Sequence, residues 1–158
     1  MTWLENTQLA NMTVKPFLIP ADKVAHVQPE NYLDHALLVL TKTGYSAIPV
    51  LDTSYKLHGL IGMTMIMDAL LGLERIEFER LETMKVEEVM NRNIPRLQLD
   101  DSLLKALGLI VNHPFVCVEN ENGYFEGIFT RREILKQFNK QLRRLNGGRK
   151  PGRKEAEQ

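Results

Sequence analysis

Apolar residues follow two alternating periods along this chain, and the alternation occurs twice. Leu33, Ala36, Leu37 and Leu40 fall at helical spacing. Two short apolar runs follow, at 46–51 and 57–61, joined by the turn-rich Asp52-Thr53-Ser54-Tyr55-Lys56, which predicts a strand pair. The scheme returns with Leu103, Ala106, Leu107 and Ile110 at helical spacing. Apolar runs at 115–118 and 124–129 then flank Asn120-Glu121-Asn122-Gly123. Val27, Leu33, Ala36 and Leu37 map onto Leu97, Leu103, Ala106 and Leu107 at an offset of 70. Beyond the helix, Val50 and Gly59 map onto Val118 and Gly127 at an offset of 68. Repeat 2 is therefore two residues shorter between its helix and its next strand. A repeat of this length fixes the architecture before any residue is read alone.

Repeat 1 is expected over 14–71. It has a short first strand at 23–27 and a helix from 29 or 30 to 43. Gly44 is placed as a left-handed C-cap, and a second helix starts near Met63. Residues 72–84 read as a connector, partly helical. Repeat 2 is expected over 85–140, with Asp100 or Asp101 capping its first helix. Its last helix runs from 131 to about 145, with Ile134, Leu135, Phe138, Leu142 and Leu145 as a stripe. Residues 1–13 read as an N-terminal segment with room for a short helix. Residues 141–158 read as a basic tail, disordered beyond 146.

Each repeat is thus β-α-β-β-α, and the fold class is α/β. One such unit is too small to cover both faces of its sheet. Two units packed sheet to sheet about a pseudo-twofold axis solve this and leave two related clefts. The helical stripes of both repeats exceed what a monomer should expose, which predicts a homodimer.

Composition narrows the function. The chain has 158 residues, with 20 Lys plus Arg and 20 Asp plus Glu, so no global field draws in nucleic acid. The local basicity of Arg143, Arg144, Arg149, Lys150, Arg153 and Lys154 reads as a solubilising tail. No apolar run approaches ~20 residues, so no membrane span is expected, and the N-terminus lacks signal-peptide character. Cys117 is the single cysteine, consistent with the cytoplasm, and lies in an apolar strand as a packing thiol. His26, His35, His58 and His113 show no metal spacing, and no catalytic or nucleotide-loop motif occurs. No cofactor and no enzymatic activity are expected.

One segment carries chemistry. Thr130-Arg131-Arg132-Glu133 follows a strand and opens a helix, where free N–H groups and the helix dipole favour an anion. Arg131 and Arg132 oppose that dipole, at about 0.3–1 kcal/mol each. A bound phosphate would remove the conflict and add charge-assisted hydrogen bonds. Thr130-x-x-Glu133 is also a capping box, which alone explains the outer two residues and not the inner two. Repeat 1 carries Gly62-Met63-Thr64-Met65 there, so the two clefts should differ, with one competent and one degenerate.

Gly44…Ile48-Pro49-Val50…Asp52, Gly59-Leu60-Ile61 and Gly127-Ile128-Phe129-Thr130-Arg131-Arg132-Glu133 together resemble a tandem pair of cystathionine-β-synthase (CBS) domains, a Bateman module. Ala21-Asp22-Lys23-Val24-Ala25-His26-Val27 and Thr41-Lys42-Thr43-Gly44-Tyr45 extend the resemblance to stand-alone bacterial CBS proteins of the CbpB/DarB type. That resemblance implies cyclic di-AMP binding between the repeats, dimerisation through the helices and regulation without chemistry. It also implies the (p)ppGpp synthetase/hydrolase and pyruvate carboxylase as partners, bound and activated by the ligand-free form. The expected ligand-binding residues are Lys23, Ala25, Tyr45, Ala47, Ile128, Thr130, Arg131, Arg132 and Glu133. Small Ala25 and Ala47 would let a purine lie flat, Tyr45 offers an aromatic face, and Lys23 adds charge. Each also has an ordinary reading, as strand packing, turn residue or solvated charge. Glu133 stands where such repeats more often carry aspartate, facing the ribose. An AMP, ADP or ATP sensor is the alternative. A regulatory subunit of an enzyme or transporter is the next.

Overall fold

The structure, a computed structural model, describes residues 11–147. The first ten residues of the N-terminal segment and the tail from 148 to 158 lie outside them. Two β-hairpins form the centre. In repeat 1, β2 (Ala47–Leu51) pairs antiparallel with β3 (Leu57–Gly62). In repeat 2, β5 (Phe115–Glu119) pairs with β6 (Phe125–Thr130). Both hairpins shift register at equivalent places, Val50/Leu51 and Val118/Glu119. Their turns meet: Leu57 N–H donates to Gly123 O at 3.0 Å and Phe125 N–H to Tyr55 O at 2.8 Å. Each contact mirrors the other, as a pseudo-twofold axis requires.

The helices are α1 (Leu33–Thr43) and α2 (Met63–Leu70) in repeat 1, then α5 (Leu103–Ile110) and α6 (Arg131–Leu145) in repeat 2. Two single turns follow α2: α3 (Arg80–Thr83) lies in the connector, which is therefore partly helical, and α4 (Val86–Val89) opens repeat 2. Gly44 ends α1 at φ 75°, and its N–H donates to Leu40 O at 2.9 Å. That conformation suits glycine, which has no Cβ to clash.

The opening segment of each repeat packs onto the other one. β1 (Ile19–Pro20) pairs with Ile128 and Gly127 of β6, and β4 (Arg96–Leu97) runs parallel to β5, giving a four-stranded order β1-β6-β5-β4. Reciprocally, Asn91 bridges Leu60 of β3. The cores follow suit. Val14 and Phe17 pack with Leu97, Leu103, Phe129 and Ile134 of repeat 2. Val86 and Met90 pack with Leu33, Leu40, Ile61 and Ile66 of repeat 1. A third cluster, containing Val24, Leu51, Cys117, Phe125 and Ile128, joins the two. Gly127 permits the close pairing: a Cβ there would lie 2.1 Å from Ile19 O, and its φ is 150°.

Several expectations are corrected. The 23–27 strand is replaced by a 3₁₀ turn over Ala21–Lys23 and a single parallel bridge between Val27 and Val50. The turn closes locally through Val24 N–H to Ala21 O, which leaves too short a run to pair. Helix α1 begins at Leu33, because Asn31 Oδ1 accepts from Gln28 N–H at 2.7 Å and Tyr32 bridges Lys85. Ser102 caps α5, accepting from Lys105 N–H at 3.2 Å. The Asp101 carboxylate is occupied by Gln98 N–H at 2.8 Å. Of the α6 stripe, Ile134 is buried and Phe138 packs against the repeat 2 core, whereas Leu135, Leu142 and Leu145 are exposed.

Candidate functional site

Strand alternation builds the walls of a cleft between the repeats. In β2, Ile48 and Val50 enter the repeat 1 core, which leaves Ala47 and Pro49 on the cleft side. In β6, Phe129 enters the repeat 2 core, which leaves Ile128 and Thr130 facing the cleft. The left-handed turn at Gly44 sends Tyr45 to the rim, where it is half exposed. The 3₁₀ turn places Lys23 at the mouth, and Ala25 follows it along the wall. The cleft measures about 230 Å³, and its lining is mostly apolar.

Seven of the nine expected residues come together here: Lys23, Ala25, Tyr45, Ala47, Ile128, Thr130 and Arg132. Thr130 is the N-cap of α6, and its Oγ1 accepts from Glu133 N–H at 3.0 Å. That bond uses a lone pair, so the hydroxyl proton remains available for donation. Arg132 is exposed, and its guanidinium makes no hydrogen bond or ion pair among the described residues. A charged fork, a hydroxyl donor and a helix start thus face one small apolar wall. The arrangement suits a flat apolar ring system that carries an anionic group.

Two expected residues are elsewhere. The Arg131 side chain turns back to α5, where Nε and Nη2 donate to Ile110 O at 3.0 and 2.9 Å, and Nη2 reaches Val111 O at 3.3 Å. It does not line the cleft. A neighbouring helix end explains this: α5 ends beside it with carbonyls that need donors. The Glu133 carboxylate accepts from Gln137 Nε2 at 3.2 Å, one turn along α6. Only the Thr130 half of the capping box is formed.

Sequence reasoning missed Ile19, Ser46, Pro114 and Phe115, and also Val24, Ile48 and Pro49, which line the cleft too. Ser46 and Pro114 are equivalents at the offset of 68, so the repeat itself could have paired them. Nothing local in Ile19 signals that its strand joins the distant β6.

The corresponding turn of repeat 1 is different. Gly62 caps α2 without a side-chain bond, and Met63 and Met65 pack against the repeat 1 core. Cys117 is 1% exposed, and burial pushes its thiol up to about 12, so it is a protonated packing group. Among the described residues no three His, Cys, Asp or Glu side chains gather as metal ligands, and no helix is long and apolar enough to cross a membrane.

The chain matches the CBS domain family over residues 14–72 and 86–140. It is 61% identical over 146 residues to the Bacillus subtilis protein named cyclic di-AMP receptor B, covering 92% of this chain and 99% of that protein. A hypothetical conserved protein of Geobacillus kaustophilus superposes with TM-score 0.80 at 91% identity, covering 82% of this chain and 98% of that one. Listeria monocytogenes CbpB, solved in complex with c-di-AMP, superposes with TM-score 0.75 at 58% identity, over 79% and 93% of the two chains. With both repeats matched, and the strands, helices and inter-repeat contacts as described, this chain belongs to the CBS domain family as a two-repeat Bateman module.

Proposed function

We propose that this protein is a non-enzymatic receptor that binds cyclic di-AMP in the inter-repeat cleft and thereby changes its contacts with partner proteins. The observation that carries the reading is the cleft itself. The free guanidinium of Arg132 and the Thr130 hydroxyl, at a helix start, stand opposite the small side chains of Ala25 and Ala47. An adenine would lie against the alanines with Tyr45 at its rim, and a phosphate would meet Thr130 and Arg132. The names of the Bacillus and Listeria relatives point to the same ligand.

Size and charge refine the choice. At about 230 Å³ the cleft is below the ~300–1,000 Å³ that encloses a whole drug-sized ligand. It would enclose one adenosine half and leave the other at the mouth. With Arg131 engaged on α5, Arg132 and Lys23 supply the positive charge. Two cations match the two phosphodiester charges of cyclic di-AMP better than a triphosphate, and AMP is the sharper competitor. Glu133 is held by Gln137 and does not line the cleft, so a ribose contact from it would require that bond to break.

The same proposal includes a cytoplasmic homodimer formed through helix faces that expose Leu38, Leu104, Leu135 and Leu142. It also includes the (p)ppGpp synthetase/hydrolase and pyruvate carboxylase as partners that the ligand-free form binds. Calorimetric titration with cyclic di-AMP, AMP and ATP tests the ligand. Saturable binding of cyclic di-AMP at least ~tenfold tighter than AMP supports the proposal, and equal or weaker binding refutes it.

A further inference from the structure

Helix α5 ends without the device that ends α1. Gly44 closes α1 in the left-handed conformation. Repeat 2 lacks two residues at this junction, and its C-cap Val111 stays right-handed helical at φ −59° and ψ −42°. The C-terminal carbonyls of Ile110 and Val111 are taken instead by the Arg131 guanidinium, through the three bonds described above. A cation at a helix C-terminus is favourable, just as one at an N-terminus is not. Arg131 therefore starts at the unfavourable end of α6 and delivers its charge to the favourable end of α5.

The Arg131 backbone makes a second tie, donating to Pro114 O at 2.9 Å. Repeat 1 has the same backbone tie, Met63 N–H to Ser46 O at 2.9 Å. The guanidinium clasp belongs to repeat 2, where the cleft has its charged wall. Pro114 and Phe115 line the cleft on one side of the clasp, and Thr130 and Arg132 flank it on the other.

We propose that Arg131 is a positioning residue of the cleft. Its guanidinium stands in for the glycine cap that α5 lacks, and so locks segment 110–115 to the turn that aims Arg132. The inference rests on the cyclic di-AMP reading for its binding readout alone. The test compares the parent with Arg131→Met and Arg132→Met by three measurements: melting without ligand, amide exchange over 110–115, and cyclic di-AMP affinity at low and high salt. Arg131→Met is expected to melt about 2–4 °C lower without ligand and to exchange faster over 110–115. Its affinity should fall roughly threefold or more while keeping the parent's salt dependence, because Arg132 and Lys23 still supply the charge. Unchanged melting and exchange, together with a flattened salt dependence, would make Arg131 a direct phosphate ligand and overturn the proposal. A parent that binds no cyclic di-AMP sinks the ligand reading, while melting and exchange still decide on the clasp. If Arg131→Met does not fold, Arg131→Lys keeps the charge but not the fork. It should then show the same losses in smaller measure, and parent-like exchange would count against the clasp.

Discussion

Replacing Arg132 by methionine removes the guanidinium facing the cleft and keeps a flexible side chain of moderate length. Arg132 has no partner among the described residues, so the loss falls on the ligand and not on the fold. A hydrogen bond between charged groups contributes about 1.5–3 kcal/mol. Because Arg132 is exposed, screening by solvent and salt draws the value towards the lower end, about 1.5–2 kcal/mol. That corresponds to a dissociation constant weakened by more than ~tenfold. The variant without ligand should be at least as stable as the parent. A cation in the first turn of α6 opposes the helix dipole by about 0.3–1 kcal/mol, and methionine relieves this. Calorimetric titration reads the affinity, and a thermal melt without ligand reads the stability. Unchanged affinity, or a lower melting temperature, would refute the reasoning and make Arg132 a structural residue.

Gly127→Ala should destabilise the protein by about 2–4 kcal/mol, since its Cβ would lie 2.1 Å from Ile19 O; denaturant unfolding checks this, and parent-like stability contradicts it. Ala47→Leu should abolish cyclic di-AMP binding by filling the wall, whereas Met65→Ala, in packing against the repeat 1 core, should leave affinity nearly unchanged; titrations of the two variants giving the reverse order would reject the cleft. The hydrogen bond from His58 holds the Asp52 carboxyl below the usual carboxylate range, helped by the backbone N–H groups of Lys56 and Ser54. A lowered folded pKa gives stability that is present above about pH 3.9, the unfolded value, and is lost as pH falls through the folded one. The melting difference between the parent and Asp52→Asn should therefore shrink in that acid window, and a constant difference would contradict the assignment.

The architecture was legible because the repeat announces itself twice in different registers. The offset of 70 in the helices and 68 in the strands gave the order of elements and the inter-repeat clefts. It also located the one junction where the repeats differ, although not the consequence. The two missing residues remove a glycine cap, and a side chain 20 residues downstream supplies the replacement. An arginine at a helix start reads as an anion ligand until the neighbouring helix end is seen, which is why Arg131 and Arg132 were not separable in sequence. Cleft residues on alternating strands, Ala47, Ile128 and Thr130, were legible because period 2 assigns their face once Ile48 and Phe129 are given to the core. Ile19 was not, because a two-residue strand leaves no periodicity and its partner lies over 100 positions away. Lys23 lines the cleft from a 3₁₀ turn and not from the strand its sequence suggests. Reach, and not secondary structure, decides whether a lysine meets the mouth.

The most direct test of the account is a crystal structure of this protein grown with cyclic di-AMP. The account predicts one ligand per chain in the cleft between the repeats. One adenine should lie against Ala25 and Ala47, with a phosphate at Thr130 and Arg132 and the Arg131 guanidinium still on Ile110 and Val111. A ligand seated instead against Met63 and Met65, or two ligands per chain, would contradict it.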